Sequence, residues 1–339
     1  MSYPTKTVQF VAQGEVELVS SELGEPNANE VIVKNDWSLI SAGTELTCLH
    51  RRFAAGTHWD DWLKYPHTPG YSAAGRIIAV GSEAAKEWSV GDRVAARIAH
   101  ASHVCVNAES LYRLPDGLDA SLAAWVGLLK IVQVGARTAD PELGSKVVIV
   151  GCGILGQLAV QYMAHAGCET IIAIDTNQSR LDTAQANGAT HVIASGIGES
   201  GEAVLQACYG EAPDIVIDVT GSSAVLPHCL AMVRDFGKVV LLGDPGDPNG
   251  QHITKDIILR GVRLLGAHDN HPALAFAPRN NWTPDRMINY GLRLLANGKL
   301  DVARLTSHRF PATEAKEAYA MASDPSQDNL GILLDWSHV

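Results

Sequence analysis

A short apolar run, Lys146-Val-Val-Ile-Val150, leads into Gly151-Cys-Gly153-Ile-Leu-Gly156 and then a helical pattern from Gln157. The next apolar run, Ile171-Ile-Ala-Ile174, ends in Asp175, nineteen residues after Gly156. Strand, glycine turn, helix and distant acid together form a dinucleotide-binding fingerprint. Gly151 allows the tight turn, Gly153 lets a pyrophosphate approach the backbone, and Gly156 lets helix and strand pack closely. Ile154 and Leu155 complete the turn, and the amides at the helix start favour the anionic pyrophosphate. Asp175 would accept hydrogen bonds from the adenosine ribose. Its charge repels a 2′-phosphate, so NAD(H) is expected over NADP(H). Arg180 is placed on the adenine face or in solvent, although it could also meet a 2′-phosphate.

These residues need a scaffold. From Lys146 to Gly266 strands are expected at 146–150, 170–175, 191–194, 214–219, 238–242 and 262–266. Helices are expected near 154–166, 177–187, 201–209, 223–234 and 252–260. Six short apolar strands with helical crossovers predict a doubly wound α/β parallel sheet, with its ligand at the carboxyl ends of the strands. The first ~120 residues carry short alternating runs at Val8–Val11, Glu30–Lys34, Gly75–Val80, Arg93–Ile98 and Val104–Val106, which predict an antiparallel, barrel-like unit. Ala120–Arg137 reads as one joining helix. The stretch from His268 to Asn281 reads as irregular, and Thr283-Pro-Asp-Arg286 as the start of a helix running to about Asn297. A strand (Leu305–Phe310), a helix (Ala312–Ala322) and a final strand (Gly331–Asp335) are expected to rejoin the first domain.

Composition narrows the partners. A chain of 339 residues, 46% hydrophobic, can bury two cores. A net charge of −11 argues against nucleic acid or anionic membrane as the main partner. No apolar run reaches the ~18 residues of a membrane span, and the first residues lack a signal-peptide core, so a cytoplasmic protein is expected. Cys48, Cys105, Cys152, Cys168, Cys208 and Cys229 form no CxxC pair and read as reduced, mostly buried thiols.

Further motifs accompany the fingerprint: Ala42-Gly-Thr-Glu45, the run from Pro69-Gly-Tyr-Ser72 to Gly81, Gly91-Asp-Arg-Val94 and Leu114-Pro-Asp116. With them, nearly the whole chain resembles the medium-chain dehydrogenase/reductase superfamily, the zinc-type alcohol and polyol dehydrogenases. The resemblance implies a GroES-like catalytic domain (1–127 and 272–339), a Rossmann domain (128–271) and an active site in the cleft between them. It also implies a homodimer, with a tetramer as the alternative. The strand Gly261–Gly266 is the candidate for pairing across a two-fold. Within the superfamily, Ser41–Glu45 and the tail around Trp282 look like a branch acting on sugars, glycosides and other complex alcohols.

The departures concern zinc. Where zinc members carry their ligands, this chain has Ala42, Tyr71 and Gly127. Zinc needs three ligands of S, N or carboxylate type, so no zinc is expected. The four-cysteine block of a structural zinc is also missing. His50, His100, His103 and Glu45 could form an alternative metal set, but surface or hydrogen-bonded roles are expected for the histidines and a backbone bond for Glu45.

Oxidising a secondary alcohol without zinc requires a side chain to bond the oxygen and move its proton. Thr44 matches the family's proton-relaying hydroxyl. Tyr71, standing at a ligand position, is expected to have its phenol pulled toward neutrality by Lys130, three residues beyond Gly127. His268 is expected near the nicotinamide or substrate, and the backbone of Leu242, Gly243 and Asp244 near the carboxamide. The tryptophans at 37, 59, 62, 125 and 282 suit either sugar stacking or packing. The leading expectation is a zinc-independent NAD(H)-dependent dehydrogenase for a secondary alcohol or ketone, sugar-like alcohols included. The alternatives are an NADPH-dependent quinone or enoyl reductase and a non-catalytic nucleotide-binding protein.

Overall fold

The computed structural model describes residues 2–247, 249, 253–270 and 282–339. The chain divides into two compact units, one of residues 1–129 with 285–339 and one of residues 130–284. The expected boundary at 272, and the 268–281 stretch from 271 onward, lie outside the described residues.

In the second unit, strands form in short apolar runs, most of them rich in β-branched residues: Lys146–Val150, Thr170–Asp175, His191–Ala194, Ile215–Asp218, Lys238–Leu241 and Arg263–Gly266. They make one six-stranded parallel sheet, in spatial order third, second, first, fourth, fifth, sixth. Val147, Val148 and Ile149 are wholly buried, as expected for a parallel strand covered on both faces. The order reverses between Lys146–Val150 and Ile215–Asp218. The fingerprint turn leaves the sheet there, where open α/β sheets bind ligands. Arg263–Gly266 is an edge strand.

The first unit is built on Glu30–Ile40. Antiparallel to it lie Ala73–Val80, His103–Asn107 and Gly331–Asp335. Arg93–Ala96 and Leu111–Arg113 extend the sheet on one side, and Thr306–Pro311 runs parallel to Gly331–Asp335 on the other. The C-terminal strands thus rejoin the first sheet, as expected. A separate hairpin pairs Tyr3–Ala12 with Glu15–Leu23. Phe10, Ile40, Tyr319, Leu334 and Trp336 anchor one core. Full burial of each large apolar side chain contributes roughly 1.5–3 kcal/mol.

One local reading is corrected: Ala120–Arg137 is two helices, Ala120–Ala123 and Val126–Ala139, with a break between them. The buried Ser72 hydroxyl donates to the Ala124 carbonyl (2.6 Å) and accepts from the Gly127 amide (2.8 Å), supplying partners to backbone groups around that break. Ala42–His50, inside the stretch expected to be barrel-like, is a helix. Glycine costs a helix about 1 kcal/mol, but burial of Leu46, Cys48 and Leu49 outweighs that.

Candidate active site

The turn out of Lys146–Val150 has the geometry that its glycines predict. Gly151 sits at φ +94°, a conformation glycine adopts without strain. A Cβ on Gly156 would stand 1.9 Å from the Gly151 carbonyl oxygen, so only glycine fits there. Gly153 opens the helix Ile154–His165, and a Cβ placed on it meets nothing within 4 Å. The Gly153 position is therefore open at a helix N-terminus, which suits a pyrophosphate. Asp175 ends its strand beside this turn. Its carboxylate accepts the Cys152 amide at 2.7 Å and the Asn177 amide at 2.9 Å. Those two bonds fix its direction, and a carboxylate has about four acceptor positions, so further positions remain for ribose hydroxyls. Gln157, wholly buried, donates to the Cys152 and Arg180 carbonyls at 3.0 and 2.7 Å and ties turn to helix. Leu242 and Gly243 both donate their amides to the Asp218 carbonyl at 2.9 Å. A ligand there would meet carbonyls rather than these two amides.

In the first unit the helix Ala42–His50 and the segment before Ala73–Val80 bring three hydroxyls together. The Tyr71 hydroxyl donates to Ser41 Oγ and lies 3.5 Å from Thr44 Oγ1. Beneath them Glu45 is buried. Its carboxylate accepts the Ser41 amide (3.0 Å), His100 Nε2 (3.1 Å) and the Tyr319 hydroxyl. His100 Nδ1 lies 2.7 Å from Ser38 Oγ, which also accepts the Trp336 indole N–H at 2.8 Å. Burial alone would raise the Glu45 carboxyl. The bonds from His100, Tyr319 and Ser41 outweigh it and hold the group below the usual carboxylate range. Burial, then the Glu45 charge, push the Tyr319 phenol well up.

Tyr71 departs from expectation. Burial pushes its phenol up, Glu45 adds to the rise, and the bonds to Ser41 and Thr44 and the Arg97 charge only partly offset it. The expected depression by Lys130 is therefore corrected. The Lys130 ammonium is held by Asp269, at 3.1 Å from its carboxylate and 3.0 Å from its carbonyl.

Other expected residues are dispersed. His268 is exposed and its Nδ1 accepts the Asn270 amide at 3.2 Å. The Arg180 amide is capped by Asn177 Oδ1 at 3.2 Å. His50 bonds Ser323, and His103 bonds Ser102. Only Glu45 and His100 of the alternative metal set pair with each other, and among the described residues no group of three or more His, Cys, Asp or Glu could hold a metal ion. Trp125 and Trp59 are core residues, whereas Trp62 is 56% exposed. Sequence reasoning named Ser41 only as the start of the Ser41–Glu45 segment and gave it no role. It also missed Arg97, whose guanidinium carbon lies 5.1 Å from the Tyr71 ring centroid. The single arginine after Val94-Ala-Ala96 was the available signal.

A coenzyme-binding α/β unit and a GroES-like unit define a class, the pyridine-nucleotide-dependent dehydrogenases. Family models bear this out: residues 27–128 match the alcohol dehydrogenase GroES-like domain and residues 155–276 the zinc-binding dehydrogenase domain. The chain belongs to the zinc-type alcohol dehydrogenase, or medium-chain dehydrogenase/reductase, superfamily. It is 24% identical over 298 residues to an L-threonine 3-dehydrogenase of Bacillus subtilis, covering 78% of this chain and 82% of that protein. It is 26% identical over 342 residues to a sorbitol dehydrogenase of Bombyx mori, covering 91% and 92%. A zinc-binding-type dehydrogenase of Sinorhizobium meliloti 1021, bound to NADP, shares the fold with a TM-score of 0.81 at 21% identity, over 98% of this chain and 99% of that one.

Proposed function

We propose that the chain is an NAD(H)-linked oxidoreductase that moves a hydride between nicotinamide and a secondary alcohol or ketone without zinc. Sugar-like alcohols are the first substrate class to test, and the sorbitol dehydrogenase relative supports that choice. The carrying observation is the hydroxyl cluster of Tyr71, Ser41 and Thr44. It offers a proton donor at a position where zinc members of the superfamily carry a ligand.

Several features support the finer points. Ala42 and Gly127 bring no donor atom, and a Cβ on Gly127 would stand 2.6 Å from the Tyr71 carbonyl oxygen, so no larger side chain fits there. These residues do not suit a zinc ion. Asp175, aimed by two amides, supports NAD(H) over NADP(H). Bound nucleotide supplies the hydride. Tyr71, kept protonated by its burial, gives its proton to the oxygen of a carbonyl being reduced, and Thr44 lies within reach to replace it. In the reverse direction the same hydroxyls accept the alcohol proton. Lys130 and His268 take no part in proton transfer in this reading. Lys130, held by Asp269, positions the segment that carries His268. A homodimer through Arg263–Gly266 is part of the proposal, supported by exposed Ile258 and Leu259 just before that strand and by exposed Phe236, whose carbonyl accepts the Arg263 side chain. No observation favours the quinone or enoyl reductase or the non-catalytic alternative.

The test is turnover on a panel of secondary alcohols and ketones with both nucleotides, together with elemental analysis of the purified protein. Turnover with NAD(H) that survives chelation is expected. Stoichiometric zinc on which turnover depends would overturn the zinc-free reading. Full turnover in Tyr71→Phe would remove Tyr71 from the mechanism.

A further inference from the structure

Two charged side chains act on the Tyr71 phenol. Glu45 lies on the helix Ala42–His50, and its charge is already met by Ser41, His100 and Tyr319. Arg97 directly follows the strand Arg93–Ala96, whose Val94, Ala95 and Ala96 are buried. That buried run fixes where the Arg97 backbone emerges. Its guanidinium carbon then stands 5.1 Å from the Tyr71 ring centroid, within the range of a cation–π contact. An arginine keeps its charge at any pH the protein survives. The second phenol within its influence, Tyr112, donates to Asp285 at 2.8 Å, and the carboxylate helps keep that group protonated.

A cation over a neutral phenol gains a modest quadrupole attraction. When the phenol loses its proton, the same cation faces a full negative charge. The contact therefore strengthens as the proton leaves, the condition for an interaction to assist a chemical step. We propose that Arg97 is the fixed cation of this site, acting through Tyr71 by stabilising the negative charge left on the phenol when its proton is handed on. The inference rests on Tyr71 as the proton donor. In the reduction direction, the carbonyl carbon takes the hydride of the reduced nicotinamide nucleotide and its C=O π bond opens onto oxygen. That oxygen takes the Tyr71 proton, and the phenolate regains one from water by way of Thr44. Arg97 exchanges no proton, and by this account it makes phenolate formation about tenfold easier.

The test reads the phenol directly and needs no substrate. A difluorotyrosine, which ionises at lower pH than tyrosine, is incorporated at position 71, and its ¹⁹F resonance is titrated in the full-length protein. Arg97→Met is expected to raise the midpoint by about one pH unit, and Arg97→Lys to recover at least half of that shift. A midpoint unmoved in a folded Arg97→Met protein overturns the proposal. So does an Arg97→Lys protein that titrates like Arg97→Met, because the role would then be packing rather than charge. If Arg97→Met does not fold, Arg97→Lys and Arg97→Gln make the same comparison. Failure of the Tyr71 reading is separately visible: Tyr71→Phe would keep turnover while the Arg97-dependent shift persisted.

Discussion

The cofactor preference can be tested most sharply at Asp175. Replacing it with asparagine keeps the shape and removes the charge. The carboxylate accepts two backbone amides, from Cys152 and Asn177. Asparagine has one oxygen, so one amide loses its acceptor, at a cost of about 1–3 kcal/mol. That loss burdens both nucleotides alike and cancels in the ratio of their affinities. The ratio reports the charge. With NADH, trading a charge-assisted ribose bond for a neutral one weakens binding by about 1–1.5 kcal/mol. With NADPH, a carboxylate and a phosphate about 5 Å apart repel by about 3 kcal/mol at an effective dielectric of 20, and by about half that near solvent. Asp175→Asn should therefore lower the ratio of Kd(NADPH) to Kd(NADH) by about 100-fold, from roughly 3 kcal/mol. Fluorescence titration of both nucleotides at fixed ionic strength measures it. A ratio that moves less than about threefold, or wild-type protein that binds NADPH more tightly, would refute the role given to Asp175.

Gly127→Ala places a Cβ 2.6 Å from the Tyr71 carbonyl and 3.0 Å from Ser72; overpacking of about 2–3 kcal/mol should lower the Tm by roughly 6–10 °C in thermal melts. Because burial raises the Tyr71 phenol, ketone reduction should not fall with pH until above the ordinary phenol value near 10, and pH profiles of kcat in wild type and Tyr71→Phe check this. Glu45 is held below its ordinary value, so its contribution is full above the unfolded carboxyl value near 4.3 and is lost as pH falls through the lower folded value. Glu45→Ala should cost about 3–5 kcal/mol at neutral pH and remove that acid-sensitive portion in denaturant titrations. Replacing exposed Ile258 and Leu259 by glutamate should leave a monomer by light scattering if that surface covers a dimer contact.

The sequence by itself determined the second unit almost strand for strand. The inner parallel strands are short, mostly β-branched runs that are largely buried, and helices carry their own stops and starts, as at Asn177. Such signals are local, so they survive in the linear chain. The glycines at 151 and 156 were equally legible, because each answers to a local backbone demand. The first unit was less so. Glu15–Leu23, Leu111–Arg113 and the helix Ala42–His50 were missed; Glu15–Leu23 does pair locally, with Tyr3–Ala12, whereas the helix is fixed by burying Leu46, Cys48 and Leu49. The catalytic candidates divided in the same way. Thr44 and Tyr71 could be named from motif positions. Glu45 was expected to bond the backbone, and it accepts the Ser41 amide; its bonds to His100 and Tyr319, and the approach of Arg97 to Tyr71, arise only once the strands close. The Tyr71 phenol was expected to be lowered by a lysine nearby in sequence. Tertiary structure decided otherwise: it committed Lys130 to Asp269 and set Tyr71, half-buried, among hydroxyls beside Arg97. Desolvation and charge act through space, and a linear chain specifies that space only once it has folded.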